Sequence, residues 1–520
     1  MKRLQSLLII LVLGIRAVPV GQAAEVKIIA SDAARWNHFG RSVSIDRDTA
    51  IVGAYANGDA GFQSGSAYIF VHRKDNWVQR AKLTPKDAAA GDWFGLSVSL
   101  SGDTALVGAW GDNDAGDDSG SAYIFMYTGR RWTEQAKLTA SDAAAGDSFG
   151  ASVAISGGTA IVGAWGDDDA GENSGSVYIF VRSGDTWTQQ TKLTASDAAA
   201  GDQFGRAVSL NGEVAIAGAR WNDDAGENSG SAYIFVWRED TWTQQAKLTA
   251  SDAAAGDWFG ESVSLSRDTA IVGAPGDDDA GEGTGSAYIF EHDGDTWTQQ
   301  TKLTASDAAA GDWFGYSVSI DRNFAIVGAF LDRDEEGNLG SAYSFLRRDS
   351  SWIERAKQTA SDAAAEDRFG VAVSVSRDYV IVGVPGNDDA GTGSGSAYVY
   401  HSIDDLALPV EPSIFTATTL GQLKRTALLQ NYPNPFNPET WLPYELAGDA
   451  NVTIRIYDVR GRLVRRLNLG VHKAGSYLDK GNAAYWDGKD PFGHAVSSGI
   501  YFYGLTAGDF QATRRMVILK

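Results

Sequence analysis

Carboxylates and large aromatic side chains recur at fixed places in this chain, and they are the groups with chemistry to offer. Asp112, Asp114, Asp117 and Asp118, then Asp167-Asp168-Asp169 with Glu172, then Asp277-Asp278-Asp279 with Glu282, all stand in short Gly-rich segments. Carboxylates packed this closely repel one another unless water or a hard cation neutralises them, and Ca²⁺ takes roughly six to eight oxygen ligands of this kind. Calcium held by Asp112, Asp114, Asp167, Asp169, Asp277 and Asp279 is one expectation, and no other cofactor is expected. The alternative is that Asp and Gly simply shape tight, solvated loops. The spacing is not that of an EF-hand, because Gly171 falls where an Asp or Asn ligand would stand and no Glu occupies the last ligand position.

Catalytic groups are poorly supplied. The histidines, His38, His72, His292, His401, His472 and His494, show no metal-ligand spacing. Gly146-Asp147-Ser148-Phe149-Gly150 matches a nucleophile elbow in letters only, since sister segments carry Trp, Gln or Arg in place of the Ser. With no cysteine there is neither a disulfide framework nor a thiol nucleophile. Acidic residues outnumber basic ones 66 to 44, a net charge of −22, which disfavours nucleic acid and anionic lipid as partners. The first 24 residues and residues 430–520 each carry +3, which leaves −28 on residues 25–429.

The elements that position these groups follow from a period of 55. Phe-Gly recurs at Phe39, Phe94, Phe149, Phe204, Phe259, Phe314 and Phe369, and Gly53, Gly108, Gly163, Gly218, Gly273, Gly328 and Gly383 keep the same offset. A repeat this regular signals stacked supersecondary units. Within the second copy, residues 95–100 alternate, 104–109 are apolar, 120–126 are aromatic and β-branched, and 132–139 alternate again, which predicts four strands, A to D. Four antiparallel strands per repeat predict an all-β, seven-bladed β-propeller over residues 25–400. The seventh copy lacks a D strand, and Val26-Lys27-Ile28-Ile29-Ala30-Ser31-Asp32 matches Ala81-Lys82-Leu83-Thr84-Pro85-Lys86-Asp87 one period on, so the N-terminal strand is expected to close the last blade.

Strand direction alternates within a blade, so the B–C and D–A loops, both acidic, must share one face. Positions common to all copies are scaffold, and those that differ are free to recognise a ligand. After strand B stand Tyr55, Trp110, Trp165, Arg220, Pro275, Phe330 and Pro385, with Trp221 next to Arg220. Before Phe-Gly stand His38, Trp93, Ser148, Gln203, Trp258, Trp313 and Arg368. Tyr55, Trp93, Trp110, Trp165, Arg220, Trp221, Trp258, Trp313 and Phe330 are the candidate ligand contacts, near the mouth of the central channel. The alternative is that several of them pack between blades. The strand-D tryptophans, Trp77, Trp132, Trp187, Trp242, Trp297 and Trp352, are expected in the core. On strand A, Glu261 stands out as the one carboxylate.

Phe259-Gly260 followed by Gly273-Ala274-Pro275 resembles the FG-GAP repeat of the integrin α-subunit propeller, over about three quarters of the chain. Only the fifth copy keeps Gly-Ala-Pro, and the family's Asp-x-Asp-x-Asp-Gly-x-x-Asp calcium loop between strands A and B is replaced here by a short turn. Integrin-type calcium sites therefore do not carry over. The resemblance implies ligand recognition or adhesion.

Lys2 and Arg3, the apolar run Leu7 to Leu13 and Gly21-Gln22-Ala23-Ala24 predict a signal peptide over residues 1–24, with no transmembrane segment after its cleavage. Residues 401–429 break the period as a linker. Residues 430–520 alternate short β runs with turns, predicting a small Ig-like β-sandwich. Asn431-Tyr432-Pro433-Asn434-Pro435-Phe436-Asn437-Pro438, Trp486-Asp487-Gly488 and Ser498-Gly499-Ile500-Tyr501 resemble bacterial C-terminal sorting domains and Ig-like modules of the flagellar-hook-cap type. That resemblance implies an export machinery as partner and a secreted or cell-surface location; a plain spacer is the alternative.

The expected function is non-enzymatic recognition of a protein or glycan on the acidic-loop face. A secreted polysaccharide hydrolase using loop carboxylates, and a structural surface-layer component without a ligand, are the rivals.

Overall fold

The computed structural model describes residues 25–401, apart from 75, 335, 336, 339, 349 and 350. It also describes residues 426–518, apart from 429, 430, 432–438, 461, 478–481, 491–493 and 509. The expected signal peptide, most of the linker and the Pro-rich segment after Asn431 lie outside the described residues. The chain divides into two compact units between Pro409 and Val410.

Each blade of the first unit is one four-stranded antiparallel sheet. In the second copy strand A is Ser97–Ser101, B is Thr104–Ala109, C is Ser121–Tyr127 and D is Trp132–Leu138. Strand B is apolar on both faces and wholly buried, because a neighbouring blade covers each side. The A–B turn is tight, with Gly102 at a φ of +57° that glycine adopts without strain. The last blade is completed by Glu25–Ile28, which pairs with Ser396–His401 so that Glu25 lies opposite Tyr400 and Ile28 opposite Ala397. Its A strand, Ala372–Ser376, packs on Ser42–Asp46 of the first blade as every A strand packs on the next, so the ring of seven is closed.

Phe-Gly is the inter-blade joint. Phe94 is fully buried, with its ring edge-on to Tyr123 at 5.6 Å and Phe125 at 5.9 Å. A Cβ on Gly108 would fall 1.9 Å from the carbonyl oxygen of Gly150 in the next blade, so no other residue fits there. Strand A exposes an unpaired edge to the channel, and serines cap it. The amides of Leu100, Ile155, Leu265, Ile320, Val375 and Ile45 donate to Ser44, Ser99, Ser209, Ser264, Ser319 and Ser374 of the adjoining blade at 3.1–3.2 Å. Glu261 is not the one carboxylate of these strands: it precedes Ser262–Ser266, while two A strands end on Asp46 and Asp321. Those two carboxylates accept the amides of Gly102 and Arg377 at the opposite end of the channel.

The strand-D tryptophans meet the expectation in part, each in or against a core cluster. Trp77 is buried, whereas the other five are half-buried at the outer rim. There, indole N–H groups of Trp187, Trp242 and Trp297 donate to Gln135, Gln190 and Gln245 of the neighbouring blade at 3.1 Å, a wet end that a core position would not allow.

The second unit is also all β. Ala450–Asp458, Leu463–His472, Gly499–Ala507 and Phe510–Ile518 form a four-stranded antiparallel sheet, accompanied by smaller sheets containing Thr440–Leu442, Tyr444–Leu446 and Ala484–Trp486. Leu442, Tyr444, Ile454, Ile456, Trp486, Tyr503 and Met516 make its core. Among the described residues there is no helix, and none long and apolar enough to cross a membrane.

Candidate functional site

The two acidic loops of each blade do share a face, and a lysine stands between them. Lys137 of strand D donates to Asp87 at 2.9 Å, Asp112 at 2.9 Å and Asp114 at 2.6 Å. Lys192 does the same with Asp142, Asp167 and Asp169, and Lys302 with Asp252, Asp277 and Asp279. Among the described side chains the remaining blades repeat the arrangement with two carboxylates each: Lys27 with Asp362 and Asp389, Lys82 with Asp32 and Asp59, Lys247 with Asp197 and Asp224, Lys357 with Asp307 and Asp332. Each ammonium also lies over the ring of a strand-C tyrosine, as Lys137 does over Tyr123 at 5.3 Å.

All six carboxylates considered for calcium are thus gathered, in pairs, with Asp87, Asp142 or Asp252. In each trio one oxygen per residue lies within 4.8 Å of the others, close enough for one ion to bridge them. That centre is filled by the lysine Nζ, and Tyr123 donates to Asp112 from behind at 3.0 Å. A calcium ion would have to displace the ammonium, so these residues as arranged fit an internal counterion better than a metal. Burial opposes ionisation of Asp87, but hydrogen bonding from Lys137 outweighs it and holds the carboxyl below its usual range.

The second feature of this face is a cavity of about 400 Å³ at the mouth of the channel. It brings together Tyr55, Trp93, Trp110, Trp165 and Arg220 from the expected contacts. Trp93 and Trp110 have ring centroids 4.7 Å apart, and Trp110 and Trp165 6.1 Å, a row of three indoles across neighbouring blades. Trp93 is held at a left-handed φ of +54° while its backbone N–H donates to Gln63, whose side chain accepts the indole N–H at 3.1 Å. Non-glycine residues in this conformation carry strain, and the residue before Phe-Gly adopts it in all seven copies.

Arg41 and Arg206 also line the cavity, and sequence reasoning missed them. They stand just after Phe-Gly, where sister copies have Leu96, Ala151, Glu261, Tyr316 and Val371; that variation was the available signal. Glu261 is buried and pairs with Arg220 at 2.7 Å and Arg206 at 3.4 Å, fixing both guanidiniums. The other expected contacts lie elsewhere. Trp221 is exposed and stacks on the guanidinium of Arg220 at 4.7 Å. Trp258, Trp313 and Phe330 turn to one another, with Trp258–Trp313 centroids 5.4 Å and Trp313–Phe330 centroids 5.7 Å apart, and Phe330 is buried. Inter-blade packing suits that trio better. Ser148 is buried with its hydroxyl bonded to the backbone of Gly146, not to a histidine.

With the ring, its Phe-Gly joints and its loop face described, the comparison with protein families is decisive: the FG-GAP repeat matches seven times, at residues 23–70, 77–125, 132–180, 187–235, 242–290, 297–345 and 352–400. The chain belongs to the FG-GAP repeat family. Residues 440–509 of this FG-GAP protein match the FlgD Ig-like domain. No curated protein matches the chain. Among solved structures it is similar to PorZ, described as an essential bacterial surface component of the type-IX secretion system of Porphyromonas gingivalis, at 14% identity and a TM-score of 0.34. That match covers 91% of this chain and 64% of PorZ. A protein of unknown function from Desulfotomaculum acetoxidans is similar at 9% identity and a TM-score of 0.39, covering 62% of this chain and 89% of its own.

Proposed function

We propose that this FG-GAP propeller is an exported, non-enzymatic recognition or adhesion protein of the cell surface or surroundings, binding a glycan or protein ligand at the aromatic mouth of its acidic-loop face. The observation that carries this reading is the cavity itself, where varying positions of several blades converge as indoles and guanidiniums on a rigid ring. The hydrolase reading is weaker on the same ground. Glycoside hydrolysis needs a pair of carboxylates across the scissile bond, and among the described residues lining the cavity there is none. Calcium enters this reading only as a competitor of the lysines.

Residues 1–24 are proposed as the leader, and the FlgD-like unit, with 430–520 as its extent, as the sorting or anchoring module after a linker. A glycan-array and cell-binding screen of the full chain tests the function. Saturable binding that Trp110→Ala or Trp165→Ala abolishes is the expected result. Turnover of a polysaccharide panel, abolished by Asp→Asn changes in one loop, would replace this reading with the hydrolase.

A further inference from the structure

The charge of the mouth is opposite to that of the domain around it. Residues 25–429 carry −28, yet the described residues lining the cavity include Arg41, Arg206 and Arg220 and no carboxylate. Glu261 behind them is one negative charge against three positive ones, and it is spent on Arg206 and Arg220. Arg41 is engaged by no carboxylate among the described residues. Two donors of the lining are buried with no acceptor: the Nε of Arg206 and the Nε1 of Trp110. Buried donors without partners are costly and rare in folded proteins, and an acceptor oxygen would reach these two only after the lining side chains shift.

The size of the cavity bears on what that ligand is. A protein partner needs about 800 Å² of contact on each side, whereas about 400 Å³ lies within the range of small-ligand pockets. Three indoles in a row, tilted 46° and 48° to one another, offer apolar faces to sugar rings. Guanidinium is the group best shaped to take a carboxylate in two parallel hydrogen bonds.

We propose that the mouth recognises a carboxylate-bearing saccharide, its ring on Trp93, Trp110 and Trp165 and its carboxylate at Arg41 and Arg206. This rests on the reading of the mouth as a ligand site and narrows it to an acidic glycan. The acidic shell around the mouth then acts as a filter. Only a ligand whose negative charge reaches the arginines recovers the repulsion of the surrounding aspartates.

The test is calorimetric titration of the full chain with trigalacturonate, with the neutral galactose trimer of the same linkage and with a pentaglutamate peptide. It uses wild type, Arg41→Gln and Trp165→Ala, each checked for the native circular-dichroism spectrum. The trigalacturonate is expected to bind about tenfold or more tighter than the neutral trimer, as a charge-assisted hydrogen bond allows. Arg41→Gln should remove that preference while leaving neutral binding, and Trp165→Ala should weaken both sugars. Equal affinity for acidic and neutral trimers, unmoved by Arg41→Gln, would overturn the acidic-glycan assignment and leave the mouth as a ligand site. Pentaglutamate binding as tightly as trigalacturonate, indifferent to Trp165→Ala, would also overturn it. No sugar or peptide binding, or binding that neither substitution affects, would overturn the proposal together with the reading beneath it.

Discussion

Lys137 sets its ammonium 2.9 Å from the buried carboxylate of Asp112, at the centre of a trio completed by Asp87 and Asp114. The same geometry around the ring makes lysine the resident cation of every acidic loop, tethered by covalent bonds and so present at any ion concentration. Lys137→Met leaves the three carboxylates converging without a counterion, a cost of order 3 kcal/mol by analogy with broken buried pairs. The variant is expected to melt well below wild type in EDTA and to regain most of the difference in Ca²⁺, as a ligand that binds only the folded state must produce. Wild type is expected to melt at one temperature in both. Calcium stabilising wild type as much as the variant would show that metal and ammonium do not compete.

Acid acts on two sets of aspartates in opposite senses. At Asp87, Asp142 and Asp252 burial favours the neutral form, but the hydrogen bond from the neighbouring lysine prevails and the pKa stays below the usual value. At Asp257 burial prevails and the pKa is pushed up to about 6; Asp92, Asp147 and Asp312 are raised for the same first reason. A lowered carboxyl contributes stability above its unfolded value that disappears as pH falls through the folded one. A raised carboxyl contributes stability at low pH that disappears as pH rises through the folded value, here about 6. The urea midpoint is therefore expected to rise from about pH 7 to about pH 5 and to fall below about pH 4. Asp257→Asn, which keeps an acceptor for the Ala254 amide, should shrink the first change and spare the second. An undiminished rise in the variant would remove Asp257 from the account.

How much of this could be read in the residues depends on whether a contact repeats. Phe94 and Gly108 recur every 55 positions because the joint they build recurs, and the unpaired seventh copy betrayed the closing role of Ile28. The lysine recurs in all seven copies and Asp112 in four, with Asn57, Asn222 and Asn387 in the others, yet the contact of Asp112 with Lys137 spans 25 residues and a strand pairing; recurrence alone does not show that one neutralises the other. The mouth is legible only by its variation. Trp110 and Trp165 were visible because they replace Pro275, while Arg41 and Arg206 escaped because the position after Phe-Gly also holds plain Leu96 and Ala151. Whether an aromatic faces the cavity or its neighbour, as Trp93 and Trp313 do respectively, is decided by the adjacent blade and has no local signature.

Ring closure makes Ile28 a core residue although it stands near the start of the described chain. It is 4% exposed and packs in one cluster with Phe39, Tyr68 and Val399. Ile28→Ala is expected to cost about 2–4 kcal/mol, as for any fully packed aliphatic side chain. It should also speed proteolysis of the Ser396–His401 strand it covers. A loss within about 0.5 kcal/mol, the effect of a surface substitution, would mean that the strand frays and the ring is held by its other blades.

The serine ladder around the channel lacks one rung. Ser99 caps Ile155 and Ser209 caps Leu265, but between them Ala154 stands at the equivalent place and has no oxygen to offer Leu210. Ala154→Ser puts a hydroxyl where six sister copies have one, in a strand whose other contacts are unchanged. A single added hydrogen bond of this type is worth about 0.5–1.5 kcal/mol net, and the expected outcome is a urea midpoint raised accordingly. Ser99→Ala should lower it by at least as much, because it leaves the Ile155 amide without its acceptor. If both substitutions leave the midpoint unmoved, channel water satisfies these amides as well as serine does, and the ladder is a consequence of closure, not a cause of it.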